Sequence, residues 1–257
     1  MLGAIAGDII GSSYEFAAFK KYQFPLFSEK SRFTDDTVLT VAVADAFLNH
    51  CNIPQTLKEY ACKYPGRGYG NSFSKWMHSD NFNPYNSWGN GSAMRTSPIG
   101  FLCTSIQDVC EKAREYAAIT HNHPEGIKGA QAVSLAIFIA RTGGTKKEIR
   151  EEMERRFQYD ISKTLDEIRP SYKFDVSCQG SVPPAIIAFI ESTDFEDAVR
   201  KSISLGGDAD TLACITGSIA EAYYGSVPES IISETRARLP DEFLQIIDSF
   251  YAELNKK

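Results

Sequence analysis

Two short acidic runs, Thr34-Asp35-Asp36 and Asp208-Ala209-Asp210-Thr211, limit this chain's possible folds more than any other feature. They lie far apart in the sequence, and each is followed by an apolar stretch of helical character. Carboxylates crowded together repel one another unless protons or cations separate them, and hard divalent ions are the usual separators. A fold that brings the runs face to face creates an oxygen-lined site for two ions. A fold that keeps them apart leaves only helix caps. The positive end of a helix dipole keeps an acid there ionised. Capping accounts for one acid per helix but not for two, and it leaves the threonine in each run without a role. Spacing alone keeps both readings open.

The apolar period is mostly helical. In 208–224, Leu212, Ile215, Ile219 and Tyr223 recur at three- and four-residue steps, and the small residues Ala213, Gly217 and Ala220 permit a close neighbour. The stretch from Pro124 to Arg141 opens on a proline suited to a first helical turn and stops before Gly143-Gly144. Helices are also predicted over 146–157, 183–190, 195–204 and 241–254. The valine-rich stretch 38–47 could be a strand, but its length and acidic start favour a helix capped by Thr34 or Asp35. Breaks are predicted at 65–70, 80–91 and 172–184. With no repeat, linker or low-complexity tract, the reading is all-α, one compact multi-helix domain over residues 1–257.

A hydrophobic content of 43% and a charged content of 23% fit a soluble globular protein. A net charge of -6 argues against a general grip on nucleic acid or anionic membrane. The six cysteines form no CxxC pair, which favours reduced, buried thiols and a cytoplasmic setting. The apolar segment 1–11 lacks a basic start and contains Asp8, unlike a signal peptide.

Three further motifs carry polar chemistry. Ser87-Trp88-Gly89-Asn90-Gly91-Ser92-Ala93-Met94-Arg95 places glycines before a helix start near Ser92, a turn suited to presenting amides to phosphate. Trp88 could stack on a base or cover a sugar. In His121-Asn122-His123-Pro124 one histidine is expected to cap the helix at Pro124 and the other to line a pocket, since no further zinc ligand is near in sequence. Glu15 follows a glycine-bearing break, Gly11-Ser12-Ser13-Tyr14, after an apolar helix.

In this order the motifs resemble the ADP-ribosylglycohydrolase family, which includes the dinitrogenase-reductase-activating glycohydrolases. The matching stretches are 3–12 with Glu15, 33–37, 87–95, Thr120-His121, and Gly206-Gly207-Asp208-Ala209-Asp210-Thr211. The resemblance implies an all-α fold with a binuclear Mg2+ or Mn2+ cleft, its ligands Thr34, Asp35, Asp36, Asp208, Asp210 and Thr211. It implies Glu15 as a gate or acid–base group on a mobile loop, with a metal-bound aspartate, Asp36, as the other proton carrier. Ser87, Gly89, Asn90 and Gly91 would hold a diphosphate, with Trp88 and His121 lining the same pocket and Asp8 in a structural role.

The activity so implied is metal-dependent cleavage of ADP-ribose from a modified acceptor, arginine or serine of a protein, or a small-molecule conjugate such as a nucleobase or acetylated ADP-ribose. A monomer is expected. The alternative within the fold is a non-catalytic ADP-ribose-binding or structural protein, disfavoured by retention of all six ligand positions and Glu15. A prenyl-diphosphate synthase also pairs aspartates in an all-α fold, but Asp36 is followed by Thr37-Val38-Leu39, with no third acid one turn on. The chain is shorter than many members of the family, and segment 28–32 has no clear counterpart, which bears on substrate choice rather than on metal.

Overall fold

The computed structural model describes residues 1–256, and among these every regular element is a helix. The helices are α1 (Leu2–Gly11), α2 (Asp35–Leu48), α3 (Ile53–Lys63), α4 (Asn71–Met77), α5 (Gly91–Met94), α6 (Ser97–Leu102), α7 (Ile106–Ala118) and α8 (Pro124–Arg141). The chain continues through α9 (Lys146–Phe157), α10 (Leu165–Ile168), α11 (Cys178–Ile190), α12 (Phe195–Ile203), α13 (Ala209–Tyr224), α14 (Glu229–Arg236) and α15 (Asp241–Leu254). The expected all-α class is therefore observed, with α8, α9 and α15 at their expected bounds.

Helix α13 is the axis of the molecule. It is buried from Ala209 through Ala222, and α1, α2, α5, α6, α8, α11 and α12 pack around it. Its most intimate neighbour is α1, whose ten residues are all buried. Gly3, Gly7 and Gly11 lie one helical turn apart on the shared face. A Cβ on them would come within 2.3 Å of the Gly217 carbonyl, 2.0 Å of the Ala213 carbonyl and 2.4 Å of the Ala209 carbonyl. The two backbones touch along three turns, and only glycine leaves room for that. Each glycine costs a helix about 1 kcal/mol relative to alanine. Burying Ile5, Ile9 and Ile10 contributes roughly 1.5–3 kcal/mol apiece, so packing outweighs propensity.

The valine-rich stretch is helical because α2 is surrounded: Asp36 through Ala44 are all buried, so it shows no polar face. Helix α11 departs from expectation. It begins five residues earlier than predicted and carries Pro183 and Pro184 inside it. Pro184 has no N–H for the Gly180 carbonyl, and the Tyr172 hydroxyl donates to that carbonyl instead, at 2.8 Å. The predicted break at 172–184 is therefore a break only as far as Ser177. Of the six cysteines, Cys51 and Cys62 are exposed and Cys110 half-buried, so burial holds only for Cys103, Cys178 and Cys214. No helix of the described residues is long and apolar enough to cross a membrane.

Candidate active site

The α1–α13 contact sets the geometry of the acidic runs. Asp8, on the turn after Gly7, is fully buried and accepts four hydrogen bonds from the start of α2. These are the Thr34 amide (2.9 Å), the Thr34 hydroxyl (2.7 Å), the Thr37 amide (3.1 Å) and the Thr37 hydroxyl. Asp8 thus fastens the first acidic run to the helix that lies on the second, which is a structural role. Burial pushes its own pKa up, against these hydrogen bonds. The other end of the site is set by Gly206, whose φ of +63° turns the chain from α12 into Asp208.

Helix capping does not account for the aspartates. Thr34 is the residue that caps α2, its hydroxyl accepting from the Asp36 amide at 3.2 Å. Asp208 sits at the N-cap of α13 but makes no side-chain cap bond; its Oδ2 accepts from the Asn90 side-chain amide at 2.7 Å. Asp210 accepts the Thr211 amide at 2.9 Å. Asp36 Oδ2 is buried with no partner. The Thr34 hydroxyl keeps one lone pair beyond its two bonds, and the Thr211 hydroxyl makes no hydrogen bond among the described residues.

The acids act on one another as a group. Burial is the first cause that raises Asp35 and Asp36 well above the usual carboxylate range, and Asp210 is the second for both. Asp210 is raised well above that range by burial and then by Asp208. Asp208 is pushed up to about 6 by burial, Glu15 and Asp35, against hydrogen bonds from Asp210 and Asn90. Glu15, half-buried, is pushed up to about 8 by burial and then by Asp210 and Asp8. Glu15, Asp208 and Asp210 each present a ligand oxygen within 4.8 Å of the other two. Among the described residues neither Asp35, which is half-buried, nor Asp36 belongs to that close group; the run at 34–36 is joined to the run at 208–211 by the charge coupling of its two aspartates to Asp210.

Three serines and one lysine hold the Glu15 loop, and none of them was legible as functional. The Ser13 hydroxyl bonds Ser28 and Ser31, at 3.2 and 3.1 Å. Lys20 Nζ donates to the carbonyls of Arg169 (2.9 Å), Tyr172 (2.7 Å) and Leu205. A cavity of about 240 Å³ opens beside Glu15, lined by Phe16, Tyr172, Phe174 and Gly206. Phe16 is 82% exposed and stacks on Phe174 at 5.8 Å.

The glycine turn lies against this region. Its Gly89 amide donates to the Ser87 hydroxyl (3.1 Å) and its Asn90 amide to the Val176 carbonyl (2.7 Å). The amides of Gly91 and Ser92, at the start of α5, have no acceptor among the described residues. The Asn90 side chain faces the acids, bonding Ser181 (3.0 Å) and Asp208 rather than pointing out of the turn. Trp88 is half-exposed, its ring 5.6 Å from that of His123. Of the two histidines, one caps a helix as expected. His123 caps α8 by accepting from the Glu125 amide, and His121 is buried with Nε2 against Gly89 and Gly91.

A sequence profile of the family described as ADP-ribosylglycohydrolase matches residues 1–257. The chain belongs to the ADP-ribosylglycohydrolase family. It is 29% identical to the ADP-ribosylhydrolase ARH3 of Mus musculus, over 90% of this chain and 84% of that protein. It is 24% identical to the ADP-ribosylarginine hydrolase Tri1 of Pseudomonas putida (strain GB-1), over 88% of this chain and 69% of that one. A solved chain described as an ADP-ribosylglycohydrolase-related protein complex superposes with a TM-score of 0.74 at 21% identity, covering 98% of this chain and 97% of that one. That likeness bears on the fold, which is the family's helical one.

Proposed function

We propose that this ADP-ribosylglycohydrolase cleaves the bond between ADP-ribose and a modified acceptor in a reaction that depends on Mg2+ or Mn2+. What supports the reading is the cluster of Glu15, Asp208 and Asp210, whose carboxylate oxygens lie within 4.8 Å of one another, together with the charge coupling of Asp210 to Asp36, whose Oδ2 is buried and unpartnered. So many hard oxygen donors, with no basic side chain among the described residues bonded to any of them, suit divalent cations. Thr34, Asp35, Asp36, Asp208, Asp210 and Thr211 would hold two such ions. Held there, such ions would supply the positive charge that makes a water a better nucleophile.

The chain's own residues do the rest. Asn90 holds Asp208 in one orientation. The free amides of Gly91 and Ser92, with the Ser87 turn, suit a diphosphate, and Trp88 suits the face of a base or sugar. Fixing the sugar and diphosphate relative to the acids is a positioning effect, able to supply several kcal/mol of barrier reduction. The positive charge that gathers at the anomeric carbon is matched by the surrounding carboxylates. Glu15, half-buried beside Asp208 and Asp210, exchanges a proton with the acceptor or the water, and Asp36 is the second candidate for that duty.

The names of the relatives favour ADP-ribose as the sugar released, and Tri1 makes arginine one acceptor to try; serine, nucleobase and acetylated linkages complete the set. The test is turnover of ADP-ribosyl-arginine, ADP-ribosyl-serine and the two small-molecule conjugates with Mg2+, with Mn2+ and with chelator. Turnover of one linkage that chelator abolishes is expected, and Glu15→Gln should slow it more than it weakens ADP-ribose binding. ADP-ribose binding with no turnover of any linkage would refute the enzyme reading and leave a binding protein.

A further inference from the structure

Behind the glycine turn, three side chains stand in line. Arg95 is fully buried, and its Nη2 donates to the Thr120 hydroxyl at 2.8 Å and to the Tyr116 carbonyl at 3.3 Å. The Thr120 hydroxyl lies 2.7 Å from Nδ1 of His121. A contact that short has a proton in it, and two arrangements supply one. Either Thr120 donates to a bare Nδ1, or a protonated Nδ1 donates to Thr120 and the threonine proton turns to the neighbouring Tyr85 hydroxyl.

Arg95 decides between them. A guanidinium has only donors, so the hydroxyl must present a lone pair to it, which makes the O–H a stronger donor on its far side. The same buried cation favours a lone pair rather than an N–H on the ring nitrogen nearest to it. Burial and Arg95 also hold the His121 pKa well below the usual histidine value, which keeps the ring neutral. A neutral ring that accepts at Nδ1 carries its proton on Nε2. That edge faces the turn: a Cβ on Gly91 would lie 3.3 Å from Nε2, and one on Gly89 3.6 Å. Nε2 has no acceptor among the described residues.

We infer that Arg95 and Thr120 are positioning residues that lock His121 as its Nε2–H tautomer, so that the neutral ring donates one hydrogen bond to an anionic phosphoryl oxygen held at turn 89–91. This rests on the reading of that turn as the diphosphate site. A neutral donor in a buried wall grips the anion without adding a second cation beside Arg95, and its donor capacity does not change across the neutral pH range.

The direct test is nitrogen-15 NMR of histidine-labelled, ligand-free protein at pH 7, with the His121 signals assigned by their loss in His121→Gln. One protonated nitrogen at Nε2 is expected. A proton on Nδ1, or on both nitrogens, overturns the relay. Calorimetry with ADP-ribose supplies the second readout. Thr120→Val should shift the ring from a single tautomer and weaken binding about 3- to 10-fold, and Thr120→Ser should restore both. His121→Asn should weaken binding about 10-fold or more, whereas His121→Gln, which can place an amide N–H near Nε2, should stay within about 3-fold. Adenosine, which lacks the diphosphate, should bind all variants alike. Full ADP-ribose affinity in Thr120→Val with Nε2–H retained would overturn the relay. The expected tautomer in a wild-type protein that does not bind ADP-ribose would instead overturn the diphosphate reading of the turn.

Discussion

Gly7→Ala tests whether a helix contact, rather than any acid, holds the two acidic runs together. The added Cβ would sit 2.0 Å from the Ala213 carbonyl oxygen, 2.4 Å from its carbon and 2.8 Å from the Cys214 nitrogen, all backbone atoms. No side chain can rotate away. Reaching the 3.4 Å of ordinary contact requires α1 and α13 to separate by more than an ångström, while Gly3 and Gly11 on either side offer no slack. Overpacking of this kind costs about 3 kcal/mol at the upper end of its usual range, and alanine's helix propensity returns about 1. A net loss of about 2 kcal/mol corresponds to a fall in midpoint of roughly 4–8 °C for a domain of this size. Asp8 follows Gly7 directly, so the movement carries Thr34 and Asp36 away from Asp208 and Asp210. Metal affinity and turnover should fall even though every ligand is intact. The assays are thermal unfolding by circular dichroism and Mg2+ binding by calorimetry. Gly70→Ala serves as control, because its Cβ meets nothing within 4 Å. A Gly7→Ala protein as stable as the parent, with unchanged Mg2+ binding, would refute the reasoning.

Three other outcomes are expected. Asp210→Ala should abolish metal binding and turnover while leaving far-ultraviolet dichroism unchanged; full turnover in that variant would remove Asp210 from the ligand set. Because Asp35, Asp36, Asp208, Asp210 and Glu15 hold protons more tightly folded than unfolded, their contribution favours the fold most below about pH 4 and is lost as pH rises through 6 to 8. Metal-free protein should therefore gain more midpoint from added Mg2+ at pH 8 than at pH 5, and an equal gain at both would contradict the charge coupling. Tyr172→Phe should destabilise the fold by about 1 kcal/mol in urea unfolding by leaving the Gly180 carbonyl unpaired.

The acids, the order of the motifs and the long amphipathic helices were legible because they are local: a run of carboxylates or a 3.6-residue period needs no partner to be recognised. What escaped was supplied by distant residues. Pro183 and Pro184 read as the end of a break and the start of a helix, because the hydroxyl that serves the freed carbonyl within α11 comes from Tyr172, outside that helix. Asn90 sits in a glycine turn and reads as a ligand contact, yet Ser181 and Asp208 draw its amide inward. The fastening of Thr34 and Thr37 to Asp8 depends on packing that brings α1 to α2. Lys20 looks like any exposed lysine until the three carbonyls it joins are seen together. Helices α3 and α7 carry local signals of their own, Asn52 and Ser105 as caps with amphipathic runs after them.

The pairing of α1 with α13 also has a consequence for how the protein is made. Helix α1, apolar except for Asp8, leaves the ribosome well before its counterpart α13 has been synthesised. At ordinary translation speeds that interval is on the order of 10–40 s, during which the segment has no native surface to cover it. Nascent chains should therefore depend on transient shielding of α1, and the acidic pocket can assemble only as a late step of maturation.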